Sequence, residues 1–238
     1  MKDTRCHSDN VSSEVPPAAP GPGVATALQI LATEHWSLLA TRSLTFTESL
    51  SRVSMFLAIL SGAVIALALV AQADQFGPTF ILVAILTLSV VLFAGIATIG
   101  RLMSLNRDDF RWVIAMNRLR HGYLELHPEL EPNFMTSQYD DLPGALQTLG
   151  IDVTAARGLG SVLHVIQTLP GMLSVIVAAV VGAIGALVAS AFAAPSLGVV
   201  LAAAAAFVLA VVLLGIWGRW SFGRDDPSLA PRFPTPKS

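Results

Sequence analysis

Long stretches of this sequence carry no charge. Residues 53–73, 77–100 and 171–217 contain no Lys, Arg, Asp, Glu or His. Charged residues make up 13% of the chain, about half the ~25% of an ordinary soluble domain. A helix in a soluble core keeps a polar stripe for water, so runs that are apolar all round exclude ordinary globular packing. Cysteine is confined to Cys6, which excludes an intrachain disulfide framework and any CxxC redox or zinc motif. Lysine occurs only twice against twelve arginines, and the net charge is −2. That balance excludes nucleic acid as the main partner. The arginine bias, with Ala, Val, Gly and Leu dominating the apolar set, fits a GC-rich bacterial genome. The N-terminus has no apolar run behind a basic start, so a cleaved signal peptide is not expected. The first apolar span is expected to act as the insertion signal.

Four runs reach the roughly 20 apolar residues that a helix needs to cross the hydrocarbon of a bilayer. They lie at 53–73, 78–100, 171–192 and 197–217. The expected fold is therefore an all-α membrane protein, with four transmembrane helices arranged as two hairpins. Asp74-Gln75-Phe76-Gly77 joins the first pair and Ala193-Ala194-Pro195-Ser196 the second. Both links are too short to hold a domain. All 14 basic residues fall outside the spans and the two short turns. The positive-inside rule then places both termini and the 101–169 loop in the cytoplasm, in a multi-pass protein of the cell membrane. Trp217, Trp220 and Phe222 fit an aromatic belt at that interface.

Around the spans, residues 1–23 read as a disordered tail rich in Pro, Ser, Ala and Gly. Val24, Leu28, Leu31, His35 and Leu38, joined by Leu39, put an amphipathic helix in the 24–52 region, packed on the cytoplasmic loop. Thr45 with Glu48 three residues later fits a capping box at the start of the first membrane helix. Neither Gly nor Pro interrupts the chain between Gly100 and Gly122. The second span should thus continue as one helix to about Leu126, ended by Pro128 and Pro132. Residues 128–158 read as a loop with short helical pieces, and helix should resume over Ser161–Leu169. The 101–169 segment forms a small helical layer, the 170–217 segment the second hairpin, and 218–238 a cytoplasmic tail.

Small residues recur every fourth position along three spans. Ser54, Ala58, Gly62 and Ala66 form one ridge, Ala178, Gly182, Ala186 and Ser190 a second, and Gly198, Ala202, Ala206 and Ala210 a third. In lipid, close backbone approach drives helix association, so these ridges are expected to be packing faces within a bundle, with self-association as the other use. No ionisable residue lies within the spans, which excludes the proton-relay and ion-path designs that depend on one. The densest polar run is His121, Tyr123, Glu125, His127, Glu129 and Glu131. His121, Glu125 and His127 could form a metal site, against the simpler reading of a solvated helix end. The spacing matches no known ligand pattern, and no catalytic residue, cofactor or metal is assigned. Asp108-Asp109 should pair with Arg111 or Arg107, and Asp140-Asp141 is a second carboxylate pair. Gly158-Leu159-Gly160 is not a dinucleotide fingerprint, and His164 reads as a packed interfacial histidine.

Two stretches, TRSLTFTESLSRVSMFLAILSGAVIALALVAQA (41–73) and RDDFRWVIAMNRLRHGYLELHPELEP (107–132), resemble an uncharacterised family of actinobacterial four-span proteins. That resemblance covers residues 25–220 and implies no activity. The helix, hairpin and long cytoplasmic helix are also similar in layout to two-span SLATT modules, proposed pore-forming effectors, which lack the second hairpin. The sequence thus points first to a non-enzymatic membrane anchor or scaffold. Its cytoplasmic helical layer would bind a protein partner or another copy of the chain. The alternative is a homo-oligomeric pore gated by that layer, and a third reading is a membrane enzyme using the 121–141 carboxylates and histidines.

Overall fold

The computed structural model describes residues 22–151, 168–222 and 229–236. It is all α, with no β-strand among the described residues. Helix α1 runs Pro22–Asp74 and α2 runs Pro78–Leu126. A 3-10 turn, Pro128–Asn133, and a short helix α3, Leu142–Thr148, follow. Helices α4, Leu169–Ala191, and α5, Ser196–Phe222, are the remaining helices among the described residues. Four of these helices are long and apolar enough to cross a bilayer, and the chain is a four-span integral membrane protein. The expected disordered tail at 1–23 (apart from its last two residues), the part of the expected 161–169 helix over 161–167, Gly158-Leu159-Gly160 and His164 lie outside the described residues.

Helices α1 and α2 form an antiparallel hairpin far longer than the membrane is thick. At 53 and 49 residues they extend about 80 and 73 Å. Contacts march along both in opposite directions. Leu31 reaches Gly122, His35 meets Tyr123, Arg42 meets Asp109, Glu48 meets Arg101 and Phe56 meets Gly95. On α1 the buried and half-buried positions include 24, 28, 31, 35, 38, 42, 45, 49, 53, 56, 60, 63 and 67. Their alternation of three and four residues is the seam of paired helices. That seam runs straight through residue 45, so the expected capping box is not formed. Thr45 sits mid-helix with its hydroxyl donating to the Thr41 carbonyl, and Glu48 is taken by two arginines.

The turn after α1 is tight enough to push Gln75 and Phe76 to φ of 47° and 62°. The Asp74 carboxylate accepts from the Phe80 N–H at 2.7 Å, placing negative charge at the α2 N-terminus where the helix dipole favours it. Phe76 stacks edge-on against Phe80 with ring centroids 5.1 Å apart.

In the apolar zone the helices stand in a row, α1–α2–α4–α5, with no extensive contact between α1 and α5 among the described residues. Their spans are the least buried and those of α2 and α4 the most. The core lies where α1, α2 and α4 meet, around Phe56, Val91, Ile99, Leu102, Leu173 and Val177. Gly95 makes this possible: a Cβ there would stand 2.6 Å from Val177 and 3.1 Å from the Phe56 ring. Between α4 and α5 the contact is through small residues. A Cβ on Gly185 would meet the Ala206 methyl at 2.9 Å, and one on Gly182 the Ala203 carbonyl at 3.2 Å.

The small-residue ridges divide accordingly. Ala178 and Gly182 are buried and Ala186 partly so, with Ser190 exposed near the turn. On α5, Ala202 and Ala206 oppose α4. The ridge on α1 corrects the expectation of packing within the bundle: Ser54, Ala58, Gly62 and Ala66 are all exposed, and nothing lies within 4 Å of a Cβ built on Gly62. The reason is geometric. Here α1 approaches α2 through Phe56, Leu60, Ala63 and Leu67, and this bulky seam turns the small residues outward.

Candidate functional site

The described charged residues outside the two turns gather on one side of the spans, in a layer built from the outer halves of α1 and α2, the 3-10 turn, α3 and the C-terminal segment 229–236. Where the hairpin leaves the apolar zone, Glu48 accepts from Arg52 at 2.8 Å and from Arg101 at 3.0 Å. Hydrogen bonds from Arg101 first, and from Arg52, hold the Glu48 carboxyl below its usual value. One helical turn to two turns outward, Arg42 grips Asp109 through both carboxylate oxygens, at 2.6 and 3.2 Å. Asp108 pairs with Arg111 as expected, but Asp109 reaches α1 instead of Arg107. Arg107 donates to the Ser221 carbonyl at 3.2 Å, a cation at the end of α5 where the helix dipole favours it.

A cavity of about 520 Å³ opens beside the Arg42–Asp109 pair, with Leu39, Phe46, Leu102, Leu105 and Pro170 on its walls. It lies at the boundary between the apolar spans and the polar layer.

Further out, Asn117 is fully buried and organises the α2–α3 contact. Its Nδ2 donates to the Tyr139 carbonyl at 2.7 Å, and its Oδ1 accepts from Arg120 at 2.6 Å and from the Thr148 hydroxyl at 2.9 Å. Burial, with the nearby Arg42 charge, lowers the Arg120 pKa from its ordinary value. His35, on α1, faces α2 near Arg120 and Tyr123. Burial first, and the Arg120 charge second, lower its affinity for a proton. Its ring lies 6.1 Å from that of Tyr123, and its buried Nδ1 has no hydrogen-bond partner among the described residues.

The most elaborate arrangement surrounds Asp140 and Asp141. Asp141 caps α3, accepting from the Gly144 N–H at 3.0 Å. Gly144 is required there, because a Cβ would stand 2.3 Å from the Tyr139 carbonyl oxygen. The other face of Asp141 takes the Thr235 N–H and hydroxyl, each at 2.8 Å. Asp140 is fully buried. It accepts from Arg118 at 2.7 Å, from the Arg232 N–H at 2.9 Å and from the Phe233 N–H at 2.8 Å. Its own N–H donates to the Phe233 carbonyl at 3.1 Å. Burial alone would raise the Asp140 carboxyl pKa. The N–H of Arg232, the Arg118 guanidinium and the N–H of Phe233 outweigh it and hold the carboxyl below its usual value. The balance at Asp141 is similar: burial raises, the Thr235 and Gly144 N–H groups lower, and the net shift is downward.

The sequence-derived trio does not converge. His121 approaches Glu125 at 3.5 Å, while His127 ends α2 and pairs with Glu129 at 2.8 Å. Among the described residues no group of three or more His, Cys, Asp or Glu side chains could hold a metal ion. His121 instead stacks on Phe233, with ring centroids 3.8 Å apart and planes inclined by 23°. Sequence reasoning missed the C-terminal segment altogether. The signal available was its spacing, Ala230-Pro231-Arg232-Phe233-Pro234-Thr235-Pro236, a single aromatic and a single arginine set between prolines. Comparison with protein-family models, with curated proteins and with solved structures finds no match for this chain.

Proposed function

We propose that this protein is a non-enzymatic anchor or scaffold of a bacterial cell membrane, whose polar layer faces the cytoplasm and binds a protein partner or another copy of the chain. The observation that carries this reading is the continuity of α1 and α2. Each passes unbroken from the apolar zone into the layer, so the bundle holds the layer rigidly at a fixed height above the bilayer. The layer's carboxylates at positions 48, 108, 109, 140 and 141 engage arginines, a helix cap or backbone N–H groups, an arrangement suited to shape more than to acid–base chemistry. The cytoplasmic side follows from the arginines, which all lie outside the spans and turns. A photocrosslinking residue at Met135, which is 98% exposed, should capture one identifiable protein or a second copy in living cells. A layer that crosslinks to nothing above the mass of the single chain would count against the reading.

The exposed α1 ridge favours a second reading, a homo-oligomeric pore assembled through Ser54, Ala58, Gly62 and Ala66. Mass measurement in native-like lipid discs separates the two. A ring of four or more subunits that Gly62→Leu disperses, and that conducts in planar bilayers, would favour the pore. A monomer or dimer would favour the scaffold.

A further inference from the structure

The segment Leu229–Pro236 is held in the manner of a bound peptide. Its backbone is read at almost every step: Arg118 donates to the Ala230 carbonyl at 2.9 Å, Asp140 takes the N–H groups of residues 232 and 233, and Asp141 that of residue 235. Two side chains are recognised, Phe233 by the stacked ring of His121 and Thr235 by Asp141. Leu229 packs against the small apolar cluster of Val113, Ile114 and Ala145. Ala230, Pro231, Arg232, Pro234 and Pro236 remain exposed, so the segment contributes little to the core. Three prolines in eight residues pre-extend the chain and lower the entropy lost on docking. The Arg118–Asp140 pair, at 2.7 Å, lies wholly on the receiving surface, which gives that surface an internal support of its own.

We propose that Arg118, His121, Asp140 and Asp141 form a recognition site for an extended proline-containing peptide, and that its occupant is the C-terminal segment of this chain, exchangeable between two copies. This rests on the reading of the layer as a protein-binding platform and names the chemistry of the partner: a Pro-Arg-Phe-Pro-Thr core flanked by an upstream leucine. Three charged groups of the site, Arg118, Asp140 and Asp141, read main chain, while specificity comes from the aromatic stack and from the Thr235 hydroxyl that Asp141 also accepts.

The test uses the full chain in lipid discs and a labelled peptide covering residues 228–238. A full-length Phe233→Ala/Thr235→Ala variant has a weakened resident segment. It should bind the native-sequence peptide ~10-fold or more tightly than a peptide carrying the same two substitutions, the loss expected for a stack and one hydrogen bond. Adding His121→Ala to that variant should erase the preference. Equal binding of both peptides by a folded variant would overturn the proposal. Where the variant does not fold, unaltered protein gives the answer by hydrogen exchange. Excess native peptide should speed exchange at the amides of residues 232, 233 and 235, and the altered peptide should not. Exchange there that follows only global unfolding, whatever peptide is added, would show the segment to be a fixed part of the fold. Either failure leaves the Met135 crosslinking result standing on its own, so loss of the peptide site is distinguishable from loss of the scaffold reading.

Discussion

Asp140 shows what a single carboxylate does in this layer. It is fully buried and joins Arg118 of α2 to two backbone N–H groups of the C-terminal segment. Removing one partner of a buried pair leaves the others desolvated and unpaired. Asp140→Ala should therefore cost about 2–4 kcal/mol, with the partial exposure of Arg118 keeping it below the full buried-pair penalty. Chemical or thermal melting in detergent checks this, and a loss below about 0.5 kcal/mol would mean that water replaces the carboxylate freely. His35 supplies a pH dependence. Its pKa is lowered in the folded protein by burial and by Arg120, so the unfolded chain takes up the proton first. Stability is then full above the ordinary histidine value of 6.5 and falls as pH drops through it. The melting temperature should decline between about pH 7.5 and 5.5, with part of that decline missing in His35→Phe. Tyr123 and Arg120 are the groups facing it, and an identical profile for both proteins would assign the titration elsewhere. Neither residue announced its role in the sequence. Asp140 looked like half of a carboxylate pair because its partners lie 22 residues before it, at Arg118, and 92 and 93 residues after it, at Arg232 and Phe233, separations that no local pattern reports.

At the scale of elements, periodicity was the reliable guide and local motifs were not. The apolar runs marked every span, and the gap without Gly or Pro after residue 100 marked the extension of α2 to Leu126. The capping box at Thr45 misled because Thr and Glu at that spacing occur equally well on the flank of a continuous helix, where the 3–4 seam decides. A proline substitution separates the two. Phe46 is 61% exposed, so its ring contributes little packing. At the first position of a new helix, Phe46→Pro would be nearly neutral. In the interior of α1 it removes a backbone hydrogen bond and should cost about 3 kcal/mol or more. The ridges carry a similar lesson. Four-residue spacing of small side chains was present on three spans, yet only α4 and α5 use it against each other, because α1 already meets α2 through larger groups. Gly62→Leu should accordingly leave monomer stability within about 0.5 kcal/mol of the parent. A large loss of stability in a protein that is monomeric by mass would contradict the exposed placement of that ridge.

For the whole molecule, the distribution of charge is the organising fact. The bundle is an open row of apolar helices, and the described charged groups outside the two turns collect in one layer at one end. That separation was legible from the sequence, since it depends only on where charge is missing. The internal wiring of the layer was not, because long-range pairs such as Arg42–Asp109 and Asp140–Arg232 depend on which helices meet. The account requires the layer to lie in the cytoplasm, where a partner can reach it. Thiol labelling with an impermeant reagent tests this most directly. Single cysteines at Met135 in the layer and Ser196 in the short turn, each in a Cys6→Ser background, would be probed in intact and permeabilised cells. Labelling of position 196 from outside, with position 135 protected until the membrane is opened, is the predicted result. Labelling of position 135 in intact cells would put the layer on the wrong side of the membrane and contradict the account.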